Sequence, residues 1–363
     1  MSNNKVFCSV CGKELDKETA LYDPDGGYIC NGCWEEKVDV CESCQCEYWK
    51  TEIFPVDDGE QHICIDCLEM YDKCPDCGKY YTHLYEGYDD RYCKHCVINH
   101  PIPLVDHDEP IKDYHSHYHK PTFFLMNGET EELFFGVELE VDGTPTRSVN
   151  DVANDIANIM PKDFIYFEDD NSLHEEGFEN ITQPATLAYH TSIINQYKKM
   201  FDVILNAGLR SHDKPDCGLH IHFNIDFFPE EDSEHCVARL ITMVNKFWDE
   251  MRVFSRRSPR ALNDWAGKYQ DTPEYIAKQW KNGCLHRDKY YAVNLNHKDT
   301  IELRMFRGTL KLNTFIATLQ FCYNLAMFAK NMTMEEVSNM QFEEFIDTPE
   351  LKQYWEEAKA RQH

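Results

Sequence analysis

The chain of 363 residues has no stretch approaching 18 consecutive apolar residues, so it offers no segment of the length and apolarity that spans a bilayer. It also lacks positive charge: 36 Lys and Arg stand against 64 Asp and Glu, a formal charge of −28. So acidic a balance argues against nucleic acid as a partner, because such binding draws much of its affinity from cations that neutralise phosphates. The one basic stretch, Ser255-Arg256-Arg257-Ser258-Pro259-Arg260, is short and reads as a solvated helix end. The opening residues, Met1 to Cys8, lack the apolar core of a secretory signal, so the expected location is cytoplasmic and reducing.

Cysteine is the opposite case. Disulfides are rare in reducing compartments, so 17 cysteines need another use. Twelve form six Cys-x-x-Cys pairs before residue 97: Cys8/Cys11, Cys30/Cys33, Cys41/Cys44, Cys64/Cys67, Cys74/Cys77 and Cys93/Cys96. The first, third and fifth pairs begin at 8, 41 and 74, a constant step of 33 residues that marks an internal repeat. An acidic, Gly-containing turn inside each repeat, such as Asp23-Pro24-Asp25-Gly26 or Asp57-Asp58-Gly59, predicts a hairpin. The second Cys pair then opens a short helical stretch, as in Cys67-Leu68-Glu69-Met70-Tyr71. Two thiolates on a knuckle and two at a helix start can converge on one zinc, which supplies the stability that so small a unit cannot draw from a core. The expectation is three structural four-cysteine zinc sites within residues 1–100. Sequential and cross-braced ligand pairing both remain open, with Cys46, His62 and His95 as alternates. The spacing resembles tandem treble-clef and LIM-like fingers, which implies recruitment of a protein or peptide substrate. Closed four-thiolate sites have no open coordination position, so catalysis belongs elsewhere.

Residues 101–127 read as a polar linker with Pro101, Pro103 and Pro110, its His107, His115, His117 and His119 incidental. Beyond it, four segments alternate apolar and polar with period two, the pattern of half-buried strands. Phe135–Asp142 presents Glu138, Glu140 and Asp142 on one face; Leu219–Asp226 presents His220, His222, Asn224 and Asp226. Tyr291–Asn296 sets Asn294 with Asn296, and Ile301–Arg307 sets Glu302 with Arg304. Carboxylates, imidazoles and a guanidinium on the polar sides of successive strands are a poor choice for mere solubility and a good one for metal and phosphate. Apolar stripes at helical spacing (residues 149–159, 193–205, 237–254 and 315–328) would cover the greasy side, giving an α+β domain over 128–330. Residues 331–363 add acidic helices, one opened by the Thr333-x-x-Glu336 capping box.

Gly136-Val137-Glu138-Leu139-Glu140, Asp170-Asn171-Ser172, Gly177–Pro184, Cys217-Gly218-Leu219-His220-Ile221-His222, Asn294-Leu295 and Thr300-Ile301-Glu302-Leu303-Arg304 together resemble the amidoligase family, similar to glutamine synthetase and glutamate–cysteine ligase. The resemblance implies a glutamine-synthetase-like antiparallel sheet with helices packed on one face, forming a funnel for ATP and Mg²⁺. It implies an ATP-dependent carboxylate–amine ligase that works through an acyl phosphate. Phosphoryl transfer needs charge neutralisation and positioning, and Mg²⁺ takes a few carboxylates. Glu138, Glu140 and Glu302 are then the expected metal ligands, with Glu179 a fourth. Because Glu179 shares its alternation phase with Ile181, a bulge is expected to bring it into the site. His220 or His222 would complete a metal shell or bond a phosphate, and Arg304 and Arg307 would grip the transferring phosphoryl group. Asp170, Ser172 and Asn294 join the nucleotide-binding set. The acid and the amine are not named by the sequence. Two alternatives stand beside the ligase: a metal-dependent hydrolase built on His220-x-His222, and a non-catalytic zinc-finger adaptor. Cys217, Cys236, Cys284 and Cys322 read as free thiols, with a Cys217–His220 amidase a remoter reading.

Overall fold

The 33-residue step of the sequence reappears in the backbone of the computed structural model, which describes residues 5–87, 90–100, 104–113, 120–170, 173, 176–212, 217–285 and 289–361. Gly12, Gln45 and Gly78 all have left-handed φ (72°, 60° and 69°). Each donates its N–H to the carbonyl of the first cysteine of its repeat, at 2.9, 2.8 and 2.9 Å. That bond closes the knuckle, and Gln45 shows that a tight turn here tolerates a side chain at some conformational cost. Hairpins flank each knuckle: Lys5–Phe7 with Glu14–Asp16, Val38–Val40 with Glu47–Trp49, and Asp72–Lys73 with Tyr80–Tyr81 at the first pairs. The expected second hairpins are Leu21–Tyr22 with Tyr28–Ile29, Ile53–Val56 with Gln61–Cys64, and Tyr85–Glu86 with Arg91–Tyr92. A helix, Asn31–Lys37, or a single 3₁₀ turn, Cys67–Met70 and Val97–Asn99, follows.

Successive repeats dock through the acidic turns. Trp49 Nε1 donates to Asp25 at 2.9 Å, and Tyr81 Oη donates at 3.0 Å to Asp58, which lies 33 residues after Asp25. Asp57 accepts from the N–H and hydroxyl of Thr82, and Asp58 also meets His95 Nε2 at 2.7 Å. Asp57 and Asp58 both have positive φ, a conformation that short polar side chains reach more readily than most.

The chain divides into two compact units, residues 1–102 with 116–119 and residues 103–115 with 120–363. His115 falls, like His117 and His119, outside the described residues. Parts of the linker segment are built into the second unit. Ile111–Lys112 (β1) is a strand of its sheet, and His107 Nδ1 meets Asn154 Oδ1 at 2.6 Å.

The second unit is α+β. Its other strands are Phe135–Val141 (β2), Ile165–Glu168 (β3), Phe178–Thr182 (β4), Gly218–Asn224 (β5), Val293–Asn294 (β6) and Thr300–Arg307 (β7). They form one seven-stranded sheet in the order β1-β3-β4-β2-β5-β7-β6, antiparallel except for β1 against β3. The apolar side of each strand (Phe135, Val137, Leu139, Leu219, Ile221, Phe223, Ile301, Leu303) enters a core shared with the helices. Val149–Ile159 (α1) starts after Ser148, whose side chain makes no capping bond, so the cap-like pair with Asp151 does not form. Ile194–Asn206 (α3) carries the second stripe, preceded by Leu187–Ser192 (α2), and Gly208 follows with φ 90°. The third stripe breaks at Phe247 into Ser233–Lys246 (α4) and Trp248–Ser255 (α5). Pro259–Trp265 (α6) and Pro273–Lys281 (α7) follow, each with proline in the first turn and a hydroxyl cap. Leu312–Asn331 (α8) is buried on most sides. Met334–Asn339 (α9) has the capping box expected of Thr333 and Glu336, and Pro349–Ala360 (α10) adds Leu351, Tyr354 and Trp355 to the same core.

Candidate active site and metal centres

In the first unit the thiols gather in sequential sets: Cys8, Cys11, Cys30 and Cys33; Cys41, Cys44, Cys64 and Cys67; Cys74, Cys77, Cys93 and Cys96. Within each set the ligand atoms lie within 4.8 Å of one another. The Sγ atoms of Cys11 and Cys30 are 3.8 Å apart, as are those of Cys77 and Cys93, and those of Cys44 and Cys64 are 3.9 Å apart. A tetrahedron of Zn–S bonds of about 2.3 Å has S···S edges of about 3.8 Å, so the donor sets fit zinc. Burial raises the Cys8 thiol, but backbone N–H donors outweigh it and bring it down to about 6; the same balance brings Cys41 to about 6 and Cys74 to about 7. The neighbouring Cys30 and Cys11 sulfurs push Cys33 up to about 12. Four thiolates cannot share so small a space without a cation. Of the alternates, His95 is turned to Asp58, His62 lies 3.6 Å from Glu42, and Cys46 points its thiol to the Cys44 carbonyl.

In the second unit the register brings the polar side chains together. Glu138 lies opposite His220 on β5 and Ile181 on β4; His222 lies opposite Glu302 on β7; Glu302 lies opposite Asn294 on β6. A bulge between β5 and β7, at Leu219/Ile221, adjusts the register beside His220. The His220 ring sits among three carboxylates, its Nδ1 3.3 Å from Glu138 and 3.4 Å from Glu302, its Nε2 3.7 Å from Glu140. His222 Nε2 is 3.0 Å from Glu138, and His297 Nε2 is 3.0 Å from Glu302. Two sets, Glu138/His220/Glu302 and His222/His297/Glu302, each place three ligand atoms within 4.8 Å. Asn294 Nδ2 donates to Glu302 at 2.7 Å and Arg304 Nη1 donates to its other oxygen, so both oxygens of this buried carboxylate are positioned.

The charges hold one another ionised. Burial pushes the Glu138 and Glu302 carboxyls up, but His222 and the other imidazoles outweigh it and hold both down. Burial likewise lowers the His222 imidazole, and Glu138 and Glu302 overcome it, raising it to about 9. Glu179 is the exception. Burial together with Glu138, Glu140, Asp170 and Glu168 pushes its carboxyl well up. It reaches this face without a bulge: Glu138↔Ile181, Leu139↔Asn180 and Glu140↔Glu179 pair in unbroken register, so Ile181 is the apolar residue on a polar face.

Glu138, Glu140, Glu179, His220, His297, Glu302 and Arg304 line a cleft of about 130 Å³ with Asp170, Tyr166, Glu168, Trp265, Lys289 and Tyr290, and His222 and Asn294 reach it through Glu138 and Glu302. Residues 163–326 match the model of a family described as "putative amidoligase enzyme". That stretch is an amidoligase-family region. The match covers 164 of the 363 residues and holds every cleft residue named above except Glu138 and Glu140, which the register ties to it. No curated protein matches the chain. The region is therefore of a ligase type, and the three cysteine sets fit zinc-finger modules. Among the described residues no helix is long and apolar enough to cross a membrane.

Other expected residues are placed differently. Arg307 ends β7 opposite Gly218 and does not line the cleft, whereas Arg257 does, donating Nη1 to the Arg304 carbonyl at 2.7 Å. The basic stretch is thus not a solvated helix end: Arg256 and Arg257 are buried, Arg256 4.0 Å from the Tyr354 ring, and only Arg260 projects into solvent. Asp142 turns back to accept from the Gly143 N–H, and Asn224 clamps the start of β2 through Phe134 N. Ser172 lies outside the described residues. The sequence reading missed Glu168, whose strand of four residues gave too little alternation to recognise, and His297, which sits on a loop and carries no periodic signal.

Proposed function

We propose that the protein is an ATP-dependent carboxylate–amine ligase whose zinc fingers recruit a protein or peptide substrate. The observation that carries this reading is the convergence of Glu138, His220, Glu302 and Arg304 at one cleft of an amidoligase-family region. The donor chemistry fits a divalent cation held by Glu138 and Glu302, with Glu140 and His220 beside them. When bound, that ion neutralises charge on the transferring phosphoryl group. Arg304, fixed by Glu302, and Arg257 behind it supply guanidinium N–H donors to the same oxyanions, in a water-poor site where such bonds are strong. An adjoining recess lined by Phe228, Trp280, Leu295 and Asn296 shares His297 with the cleft and offers an aromatic bed for the nucleotide base. The substrate carboxylate attacks the γ-phosphorus and ADP departs; an amine then displaces phosphate from the acyl phosphate. Exposed Phe7, Tyr22, Ile65, Met70 and Ile98 on the fingers supply the apolar contacts of a recruitment surface.

Calorimetric titration of Mg·ATP into the full chain and its Glu138→Gln variant tests this reading. Magnesium-dependent binding that weakens at least a hundredfold in the variant is expected. No binding by the folded wild-type chain overturns it. The three imidazoles around Glu138 and Glu302 favour a second reading, a metal-dependent hydrolase, since imidazole suits zinc better than magnesium. Zinc-dependent hydrolysis without nucleotide would select it.

A further inference from the structure

The three fingers repeat one backbone plan, so each serves as a control for the others. The residue before the first cysteine is Phe7, Val40 or Lys73, and the second residue after that cysteine is Val10, Ser43 or Asp76. In the second hairpins Leu21↔Ile29, Phe54↔Ile63 and Tyr85↔Tyr92 are equivalent pairs, each ending one residue before the third cysteine. The next pair toward the turn is Tyr22↔Tyr28, Pro55↔His62 or Glu86↔Arg91. Four equivalent positions therefore read Phe, Val, Tyr, Tyr in the first finger, Val, Ser, Pro, His in the second, and Lys, Asp, Glu, Arg in the third. A finger folds with any of these sets, so neither the hairpins nor the zinc site requires apolar residues there.

In the first finger the fold brings these positions together. The Tyr22 and Tyr28 ring centroids are 5.2 Å apart. Ser9, which lies between Phe7 and Val10 in the chain, donates its N–H to the Tyr28 carbonyl at 2.7 Å. Glu42 makes the same bond to His62 in the second finger, at 3.0 Å, so the placement belongs to the shared backbone. Phe7, Tyr22 and Val10 are 64%, 60% and 41% exposed. Apolar side chains that folding does not require, gathered and left in water, mark a contact surface.

Charge selects the occupant. Between Lys5 and Lys37 seven Asp and Glu stand against four Lys, two of which are tied to Glu14 and Glu36. Zinc held by four thiolates adds further negative charge. Glu14 lies opposite Phe7 in the first hairpin, and Asp25 stands in the turn between the two tyrosines. Three of the four patch residues are aromatic, and their ring faces attract cations while their bodies cover alkyl stems. A second copy of the chain, with its formal charge of −28, is repelled from such a surface, as is an anionic lipid. A basic segment whose Lys or Arg residues are interspersed with apolar side chains matches both the rings and the charge.

Resting on the reading of the fingers as recruiters, we propose that the first finger is the docking module and that Phe7, Val10, Tyr22 and Tyr28 bind a basic, apolar-anchored peptide segment of the partner protein. The test follows the anisotropy of a labelled octapeptide that alternates lysine with leucine and phenylalanine, titrated with the full zinc-loaded chain without nucleotide. The fourfold variant Phe7→Lys, Val10→Asp, Tyr22→Glu, Tyr28→Arg installs the third finger's residues in the first and leaves the net charge unchanged, so a loss reports the patch rather than bulk attraction. The variant is expected to bind the peptide at least tenfold more weakly at unchanged zinc content. The wild-type chain should lose at least as much when glutamate replaces the peptide's lysines, or serine its leucines and phenylalanines. Absence of peptide binding by the wild-type chain overturns the proposal. Equal binding by wild type and variant overturns it too, and leaves recruitment to another part of the fingers standing. So does a wild-type dimer that the variant does not form, which would give the patch to a second copy. Should the fourfold variant lose zinc, Phe7→Lys with Tyr22→Glu, also neutral in charge and confined to exposed rings, carries the same expectation. Because no nucleotide is present, a chain that docks the peptide but binds no Mg·ATP would refute the ligase reading and leave the docking site standing.

Discussion

The two units order their chains by different means. In residues 5–100 the buried apolar residues fall into three small clusters, and each includes cysteines of the metal sets: Cys8; Cys41 and Cys64; Cys74 and Cys93. In the second unit one continuous core runs from Leu133 to Ala358 and depends on no metal ligand. The difference teaches where stability resides. A finger buries too little area to offset the entropy of ordering its chain, so its folding is zinc binding; the larger unit buries enough to fold on apolar contact alone.

The largest expected effect breaks the comparison if it fails. Removing zinc with a strong chelator should unfold the fingers, since each site contributes on the order of 10 kcal/mol. The melting transition of the second unit should remain. Metal analysis of the purified protein should give about three zinc ions per chain, one for each four-ligand set. A single transition indifferent to chelator would mean that the fingers draw their stability from elsewhere.

A second, smaller effect distinguishes the units by pH. His190 is fully buried, its Nε2 3.0 Å from the Phe135 carbonyl and its Nδ1 2.7 Å from the Tyr197 hydroxyl. Nε2 therefore donates and Nδ1 accepts, which fixes the ring as neutral. Burial pushes the imidazole down to about 4, with the Phe135 carbonyl opposing. The unfolded chain takes up this proton near pH 6.5 and the folded one only near 4, so the unfolded state is favoured as pH falls through that window. About 3 kcal/mol of the second unit's stability should be lost between pH 6.5 and 4. Acid also protonates the cysteine thiolates and releases zinc, so wild-type acid unfolding mixes both units. His190→Gln keeps a donor and an acceptor without the proton uptake; thermal melts of the chelated variant should show a flatter acid slope. An unchanged slope would remove His190 from the account.

Much of this was legible in the sequence because two periodicities carry it. The 33-residue step marked the fingers, and the period-two alternation marked β2, β5 and β7 with Glu138, His220, His222, Glu302 and Arg304 on their polar sides. What escaped is what periodicity does not encode. Arg257 looked like one more charge in a solvated run because nothing in a short basic stretch tells that the backbone turns left-handed at Arg256, φ 54°, and carries Arg257 to the Arg304 carbonyl. Ile181 hid the phase of Glu179, since an apolar residue on a polar face mimics a change of face. Glu168 and Tyr166 sit on a strand too short to show alternation, and β1 pairs in parallel through two residues of a segment that composition marks as linker.

The smallest effect sharpens the comparison from within the fingers. If zinc orders each repeat but not its neighbour, the junctions rest on contacts between repeats; at one of them Tyr80 pairs with Val56 and packs on the second finger's apolar cluster, and Asp58 supplies polar contacts. It accepts from Tyr81 and Lys79 and meets His95, while burial resists its ionisation; the three donors prevail and hold its carboxyl down. Asp58→Asn is the informative change, because Asn keeps the left-handed backbone at φ 60° that Ala would strain, and removes only the charge. The side chain is over a third exposed, so water and salt screen these bonds, and the loss should be about 1 kcal/mol or less. Zinc content should stay the same, since no metal ligand is touched. Hydrogen exchange at the Thr82 amide, which donates to the adjacent Asp57, should quicken several-fold as the junction loosens. Loss of a zinc ion instead would show that the third finger folds only against the second, and that the repeats are one cooperative stack rather than three metal-ordered units.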